Sequence, residues 1–192
     1  RDLWIARNPR LAYGGVGGIR NQGHHRPSAR WQMGAGGISQ IEGKSVRIGR
    51  MDKIISIIGA GLAGSEAALQ LAQRGFTVKL HEMRPVVNTD VHKTANCAEL
   101  VCSNSLKSTK PESAAGMLKN ELAKLGSVVY RAACDNSVAA GGALAVDREH
   151  FSAAVTAAIE QEPLIELVRG EVSSIDQAAA GADALILATG PL

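Results

Sequence analysis

The chain has 192 residues, a formal net charge of +3 and three cysteines. No apolar run approaches the ~18 residues that a membrane span needs, and no signal-peptide core is present. The thiols Cys97, Cys102 and Cys134 are odd in number and lack a CxxC pair, which argues against a zinc ribbon or a disulfide framework. No metal site is expected, and free thiols fit a reducing, cytoplasmic setting.

The modest net charge conceals two unlike pieces. Residues 1–50 carry nine Lys and Arg against two acids, Asp2 and Glu42, whereas residues 51–192 carry 12 basic and 16 acidic residues. The first piece also holds ten of the 21 glycines and both tryptophans, Trp4 and Trp31, with no periodicity long enough to bury a face. It reads as a disordered, basic leader before a folded part that starts at Met51, the expected initiator. Translated upstream sequence or an expression artefact is the leading reading. An Arg-rich transit peptide and a flexible RNA-binding arm are the alternatives. The stretch Gly34-Ala35-Gly36-Gly37 is a decoy, with no strand before it and no helix after it.

The apolar run Ile54–Ile58 predicts a buried strand. It leads into Gly59-Ala60-Gly61-Leu62-Ala63-Gly64, after which Ala67, Ala68, Leu71 and Ala72 predict a helix ending near Gly75. In this context the three glycines do different things. Gly59 makes the tight turn, Gly61 lets the backbone approach a diphosphate, and Gly64 lets helix and strand pack closely. The helix then aims its first N–H groups and the positive end of its dipole at that anion. A second strand, Thr77 to His81, ends at Glu82, where an acidic residue binds the hydroxyls of a dinucleotide ribose. That carboxylate argues against a 2′-phosphate, although Arg84 keeps NADP open as an alternative.

Residues 84–96 read as a loop. A helix over 112–125 is expected to place Met117, Leu118, Leu122 and Leu125 on one face and lysines on the other, with Gly126 breaking it. Val128–Tyr130 fit either a continuing helix or a short strand. Gly141-Gly142 predict a turn before a strand at Ala145-Val146, and Asp147 is a natural N-cap for a helix from Arg148 to Glu160. Two further strands are expected at 164–168 and 172–175, followed by a buried return strand that runs through Leu187 into Ala188-Thr189-Gly190. That small-residue turn offers a second backbone surface, Thr189 and Gly190, against a cofactor. The whole predicts an α/β, Rossmann-like FAD/NAD(P)-binding domain whose parallel sheet is interrupted by an inserted segment.

Four separated strings resemble one family: Glu82-Met83-Arg84-Pro85, Ala98-Glu99-Leu100-Val101-Cys102-Ser103-Asn104-Ser105-Leu106, Gly141 to Arg148, and Ala188-Thr189-Gly190-Pro191-Leu192. Together they are similar to the bacterial folate- and FAD-dependent tRNA uracil-5-methyltransferases, over essentially all of residues 53–192. The resemblance implies that the dinucleotide is FAD, reduced by NAD(P)H, with 5,10-methylenetetrahydrofolate as carbon donor. It implies tRNA as substrate, methylated at C5 of a T-loop uridine, with Cys102 as a catalytic residue. Chemically, uracil C5 is a poor nucleophile until a group adds to C6, and a thiolate suits that addition. Whether Cys102 serves as nucleophile, as base or as a trap for the methylene unit stays open.

Cys97 and Cys134 are expected to be small buried apolar residues, and His81 and His92 surface or packing residues. Ala140 stands where the family pattern has proline. Against the family the chain reads as an N-terminal fragment, ending before a second cysteine and expected to be inactive alone. Competing readings are glucose-inhibited division protein A, which shares the glycine loop but acts on the wobble uridine, a generic FAD or NAD oxidoreductase, and a non-catalytic nucleotide- or RNA-binding module.

Overall fold

A computed structural model of the chain describes residues 38–41, 44–47 and 51–190. The decoy glycines, Trp4, Trp31 and the Pro191-Leu192 end of the last string lie outside these residues. Within the basic first piece, β1 (Ile38–Ile41) and β2 (Lys44–Arg47) pair antiparallel, a hairpin that no periodic pattern in the residues announces.

From residue 51 onward the chain builds a four-stranded parallel sheet in the order β8-β4-β3-β9. Strand β3 (Ile54–Ile58) lies between β4 (Thr77–Glu82) and β9 (Ala184–Leu187), and β8 (Ile165–Arg169) borders β4. Renumbered along the sheet this is the 3-2-1-4 order of a dinucleotide-binding half. Helix α1 (Leu62–Gln73) connects β3 to β4 and buries Gly64, Ser65, Ala68, Leu69 and Ala72, a stripe at helical spacing. Its end is closed by Gly75 at φ +88°, with the Gly75 and Phe76 N–H groups returning to the Ala72 and Leu71 carbonyls, as the helix-stop reading requires. On the sheet side Ile55, Ile57, Val78 and Leu80 meet Leu69, and Phe151, Val155 and Ile159 of α4 (Arg148–Glu160) close the same core.

The inserted segment lies between β4 and α4. It forms a separate three-stranded sheet, β5-β7-β6, from β5 (Ser105–Ser108), β6 (Ser137–Val138) and β7 (Ala143–Val146). Helices α2 (Ala114–Lys124) and α3 (Val128–Asp135) run between β5 and β6. The open choice at Val128 therefore resolves as helix. Ser127 Oγ caps α3, and Glu66 of α1 accepts from both Ser127 Oγ and the Val129 N–H at 2.9 Å, binding the insertion to the first crossover helix. Asp147 caps α4 as expected, its Oδ1 accepting the N–H groups of Glu149 and His150.

Four expectations are overturned. The apolar stripe of α2 faces outward: Met117, Leu118 and Leu125 are exposed, while Gly116 and Lys119 are buried. The cause is close approach, because a Cβ on Gly116 would stand 1.9 Å from the Lys110 carbonyl oxygen. Lys119 lies on the same contact face, its stem packed and its Nζ donating to the Ser108 and Ala115 carbonyls. Residues 172–175 form no strand. Ser174 instead caps the short helix α5 (Ile175–Ala179), accepting from the Gln177 N–H, which competes with extended pairing. Cys134 is exposed, whereas Cys97 is buried as expected. Finally, β9 is not a buried strand: it ends the sheet among the described residues, and Leu187 is 59% exposed.

Candidate functional site

The glycine turn runs from the C-terminal end of β3 into α1, beside the C-terminal end of β4, where the Gly59 N–H donates to the His81 carbonyl. Gly59 adopts φ +98°, and a Cβ there would stand 2.5 Å from the Ala188 carbonyl oxygen and 3.0 Å from Thr189 Cα. A Cβ on Gly64 would reach 1.8 Å from the Gly59 oxygen. These two glycines are therefore required by the protein's own packing. Gly61 is different. No heavy atom lies within 4 Å of the position of its Cβ, so the space beside its backbone is open. Gly61 is also the N-cap of α1 and supplies no side-chain hydrogen bond, which leaves the N–H groups at Leu62, Ala63 and Gly64 for an outside acceptor. An open cradle at an uncapped helix start fits an anionic diphosphate.

Glu82 is 6% exposed and holds the turn from below. Its Oε2 accepts the Ala60 N–H at 3.1 Å, and its Oε1 accepts both the N–H and Nε of Arg84, at 3.1 and 2.8 Å. A carboxylate has about four acceptor positions, so three are used and one remains on Oε2. Burial pushes the Glu82 carboxyl up, but the Arg84 and Ala60 hydrogen bonds and the Arg84 charge outweigh it and hold the group below the ordinary carboxyl range.

Arg84 is equally buried. Its Nη1 donates to Glu99 Oε2 at 2.8 Å and to the Thr94 carbonyl at 3.2 Å. A guanidinium engaged by two carboxylates and a carbonyl is poorly placed to bind a 2′-phosphate, which weighs against the NADP alternative. Glu99 also accepts the Lys93 and Thr94 N–H groups. Here too burial raises the carboxyl, and those N–H groups with Arg84 bring it below its usual value. Arg169 braces the loop by donating to the Arg84 and Ala95 carbonyls.

The thiol segment starts on the glycine turn itself. Ala98, at φ +54°, donates its N–H to the Ala60 carbonyl at 2.8 Å, and the same oxygen accepts Ser65 Oγ. The neighbouring Cys97 N–H donates to Thr156 Oγ1 of α4. Cys102 is exposed, four residues beyond this tether and so within roughly 14 Å of it along the chain. Gly190, at φ +73°, carries the return strand away after Thr189 has packed on the turn. The structure thus brings Gly59 to Gly64, Glu82, Arg84 and the Thr189-Gly190 turn together, with Cys102 on an adjoining segment. His92 pairs with Thr89 within the loop that follows Arg84, and His81 is half-buried on β4 with an unpartnered Nε2. Sequence reasoning missed Ala98 and Glu99. Their signal was the position of Glu99 inside the Ala-Glu-Leu-Val-Cys string, without any local pattern to give it a role. Among the described residues no group of His, Cys, Asp and Glu could hold a metal ion, and no helix is long and apolar enough to cross a membrane.

The family model described as glucose inhibited division protein A matches residues 54–192. The chain belongs to that family. Curated relatives include methylenetetrahydrofolate–tRNA-(uracil-5-)-methyltransferase TrmFO of Methylobacterium radiotolerans, 57% identical over 74% of this chain and 30% of the relative. Proteins of the same name from Streptococcus pyogenes serotype M1 and Rhodopseudomonas palustris are 53% and 55% identical, over 72% and 73% of this chain and 30% and 29% of theirs. The chain therefore spans about a third of the length of the relatives it matches. Among solved structures, the 6-hydroxypseudooxynicotine amine oxidase of Pseudomonas geniculata N1 shares 19% identity at a TM-score of 0.36, covering 72% of this chain and 14% of that one. A likeness at that level carries no argument.

Proposed function

We propose that this chain supplies the dinucleotide-binding part of a flavin- and folate-dependent tRNA uracil-5-methyltransferase. The observation that carries the reading is the hydrogen bond from Ala98 to Ala60, which starts the Cys102 segment on the glycine turn. A nucleotide site and an exposed thiol on one rigid junction suit chemistry that needs both. The names borne by relatives at 53–57% identity supply the substrate class.

In this reading Gly61, Leu62, Ala63 and Gly64 would hold the diphosphate of FAD, and the remaining position on Glu82 Oε2 would accept a ribose hydroxyl. Thr189 and Gly190 flank the opposite side of the turn. Arg84 acts by fixing Glu82. Bound FAD, reduced by NAD(P)H, supplies the electrons needed to turn a methylene unit from 5,10-methylenetetrahydrofolate into a methyl group. Cys102 is the residue of this chain that faces the pyrimidine, at C6 as nucleophile or at C5 as base. The setting is cytoplasmic, where the three thiols stay reduced.

The test replaces the matching part of the Methylobacterium radiotolerans relative with residues 51–192 and expresses the chimera in cells lacking T-loop 5-methyluridine. Restored 5-methyluridine, lost again with Cys102→Ala, is the expected result. Modification at the wobble uridine instead would favour the second reading, which the family's name supports. Retained flavin with no tRNA modification would point to an oxidoreductase of another class.

A further inference from the structure

The site contains an unbroken chain of contacts from the cofactor carboxylate to the thiol segment. Glu82 touches the turn through Ala60 and touches Arg84 through its other oxygen. Arg84 grips Glu99, three residues before Cys102, and Glu99 in turn orders Lys93 and Thr94. Side-chain exposure at the two ion pairs is 3% and 6% for Arg84 with Glu82, and 3% and 10% for Arg84 with Glu99. Water therefore screens this relay little. We infer that Arg84 and Glu99 are positioning residues that make the reactivity of Cys102 depend on whether the dinucleotide site is filled.

The direction follows from the acceptor count on Glu82. A ribose diol offers two donors, but only one position is open, on Oε2. Binding both hydroxyls requires the Arg84 Nε–H to release Oε1, since the other bond there comes from the backbone N–H. The released donor turns toward Glu99, the other carboxylate within its reach. The segment from 93 to 99 is then held more firmly, and Cys102 becomes less available to an outside electrophile. This inference rests on the dinucleotide reading above and adds to it a link between occupancy and thiol position.

The experiment uses the whole chain carrying Cys134→Ser, so that Cys102 is its one exposed cysteine; Cys97 is buried. Alkylation of Cys102 by iodoacetamide is followed by mass spectrometry with and without saturating FAD, alongside FAD affinity from flavin fluorescence. FAD should slow alkylation at least threefold in this parent. Glu99→Gln should bind FAD within about threefold of the parent yet lose most of that dependence, since an amide cannot pair with the guanidinium as a carboxylate does. Arg84→Lys should retain part of the dependence and Arg84→Met none. If Glu99→Gln and Arg84→Met bind FAD and keep the parent's full slowing, FAD shields the thiol directly and the relay is wrong. If FAD leaves alkylation unchanged in a parent that binds it, the relay is also wrong. If the parent binds no FAD, the dinucleotide reading fails and the relay fails with it. Should Arg84→Met not fold, Glu99→Gln decides, because its amide oxygen can still accept one of the two N–H groups, Lys93 or Thr94, that the two carboxylate oxygens hold separately.

Discussion

Glu82 accepts the N–H of Ala60 at 3.1 Å, so the acidic residue at the end of β4 is a structural support of the glycine turn before any ligand arrives. The same carboxylate thus serves two ends, and substitutions around it should separate folding from binding.

The glycines make that separation most directly. Gly59→Ala combines a side chain at φ +98° with a 2.5 Å approach to the Ala188 oxygen, and should destabilise by on the order of 3 kcal/mol. Gly64→Ala, at 1.8 Å from the Gly59 oxygen, should do at least as much. Gly61→Ala meets nothing and should unfold within about 0.5 kcal/mol of the parent. Its FAD affinity should nevertheless fall roughly tenfold, about 1.4 kcal/mol, because the methyl group would fill the open space proposed for the diphosphate. Urea unfolding and flavin titration of the three variants check this. A Gly61→Ala variant that binds normally would remove the turn from the binding site.

Arg84→Met removes the cation shared by the buried Glu82 and the part-buried Glu99 and should cost about 3 kcal/mol near neutral pH. Much of that loss should disappear in acid, where the stranded carboxylates can protonate. A cost that stays the same from pH 7 to pH 4 would show that packing, and not charge, makes Arg84 matter.

The pH profile of stability should fall in two stages. His81 has a folded pKa below its ordinary 6.5, through burial first and then Lys79, with Glu166 opposing. A depressed histidine contributes stability above its unfolded pKa, and that share is lost as pH falls below about 6.5 through the lower folded value. Glu82 and Glu99 are also depressed, from 4.5, so their contribution persists to that range and is lost as pH falls further. In both windows the unfolded chain binds more protons than the folded one. Urea midpoints measured from pH 8 to pH 3 should therefore show both declines, and Glu99→Gln should flatten the acidic one alone.

On α2, Met117→Glu and Leu118→Glu should each change stability by less than about 0.5 kcal/mol, since both side chains are already in solvent. Lys119→Met should cost about 1–3 kcal/mol by leaving the Ser108 and Ala115 carbonyls without their donor. Equal effects from the two kinds of change would contradict the outward orientation of the apolar stripe.

That helix also marks where the sequence stopped being readable. The turn at Gly59, the Gly75 stop, the Asp147 cap and the position of the return strand, though not its burial, were legible because each is written in local chemistry: a backbone conformation, a hydrogen-bonding side chain, an apolar run. The orientation of α2 is not local. Its apolar period pointed one way, and the absent Cβ of Gly116 against Lys110 decided the other. Strand β5 was hidden for a related reason, since Ser105-Leu106-Lys107-Ser108 has little apolar alternation and its register shifts where Lys107 takes φ +70°. In the site, the glycines and Glu82 could be placed by spacing. Glu99 could not, because its partner Arg84 is 15 residues away in sequence and meets it through a loop without periodicity.

The middle of the parallel sheet carries a consequence for how the chain is made. Ile54 donates its N–H to Asp183, 129 residues later, and Ile55 aligns with Ala184. Strand β3 leaves the ribosome well before β9, and its second neighbour does not exist until residues 184–187 have been made. During that interval the isoleucine-rich edge can pair with β4 alone, and its other side is open to any extended segment nearby. The wait is set by topology and not by loop stiffness, so faster local folding of α1 or α4 would not shorten it. Translation speed over residues 83–183 therefore becomes a determinant of yield, through a strand that was completed a hundred residues earlier.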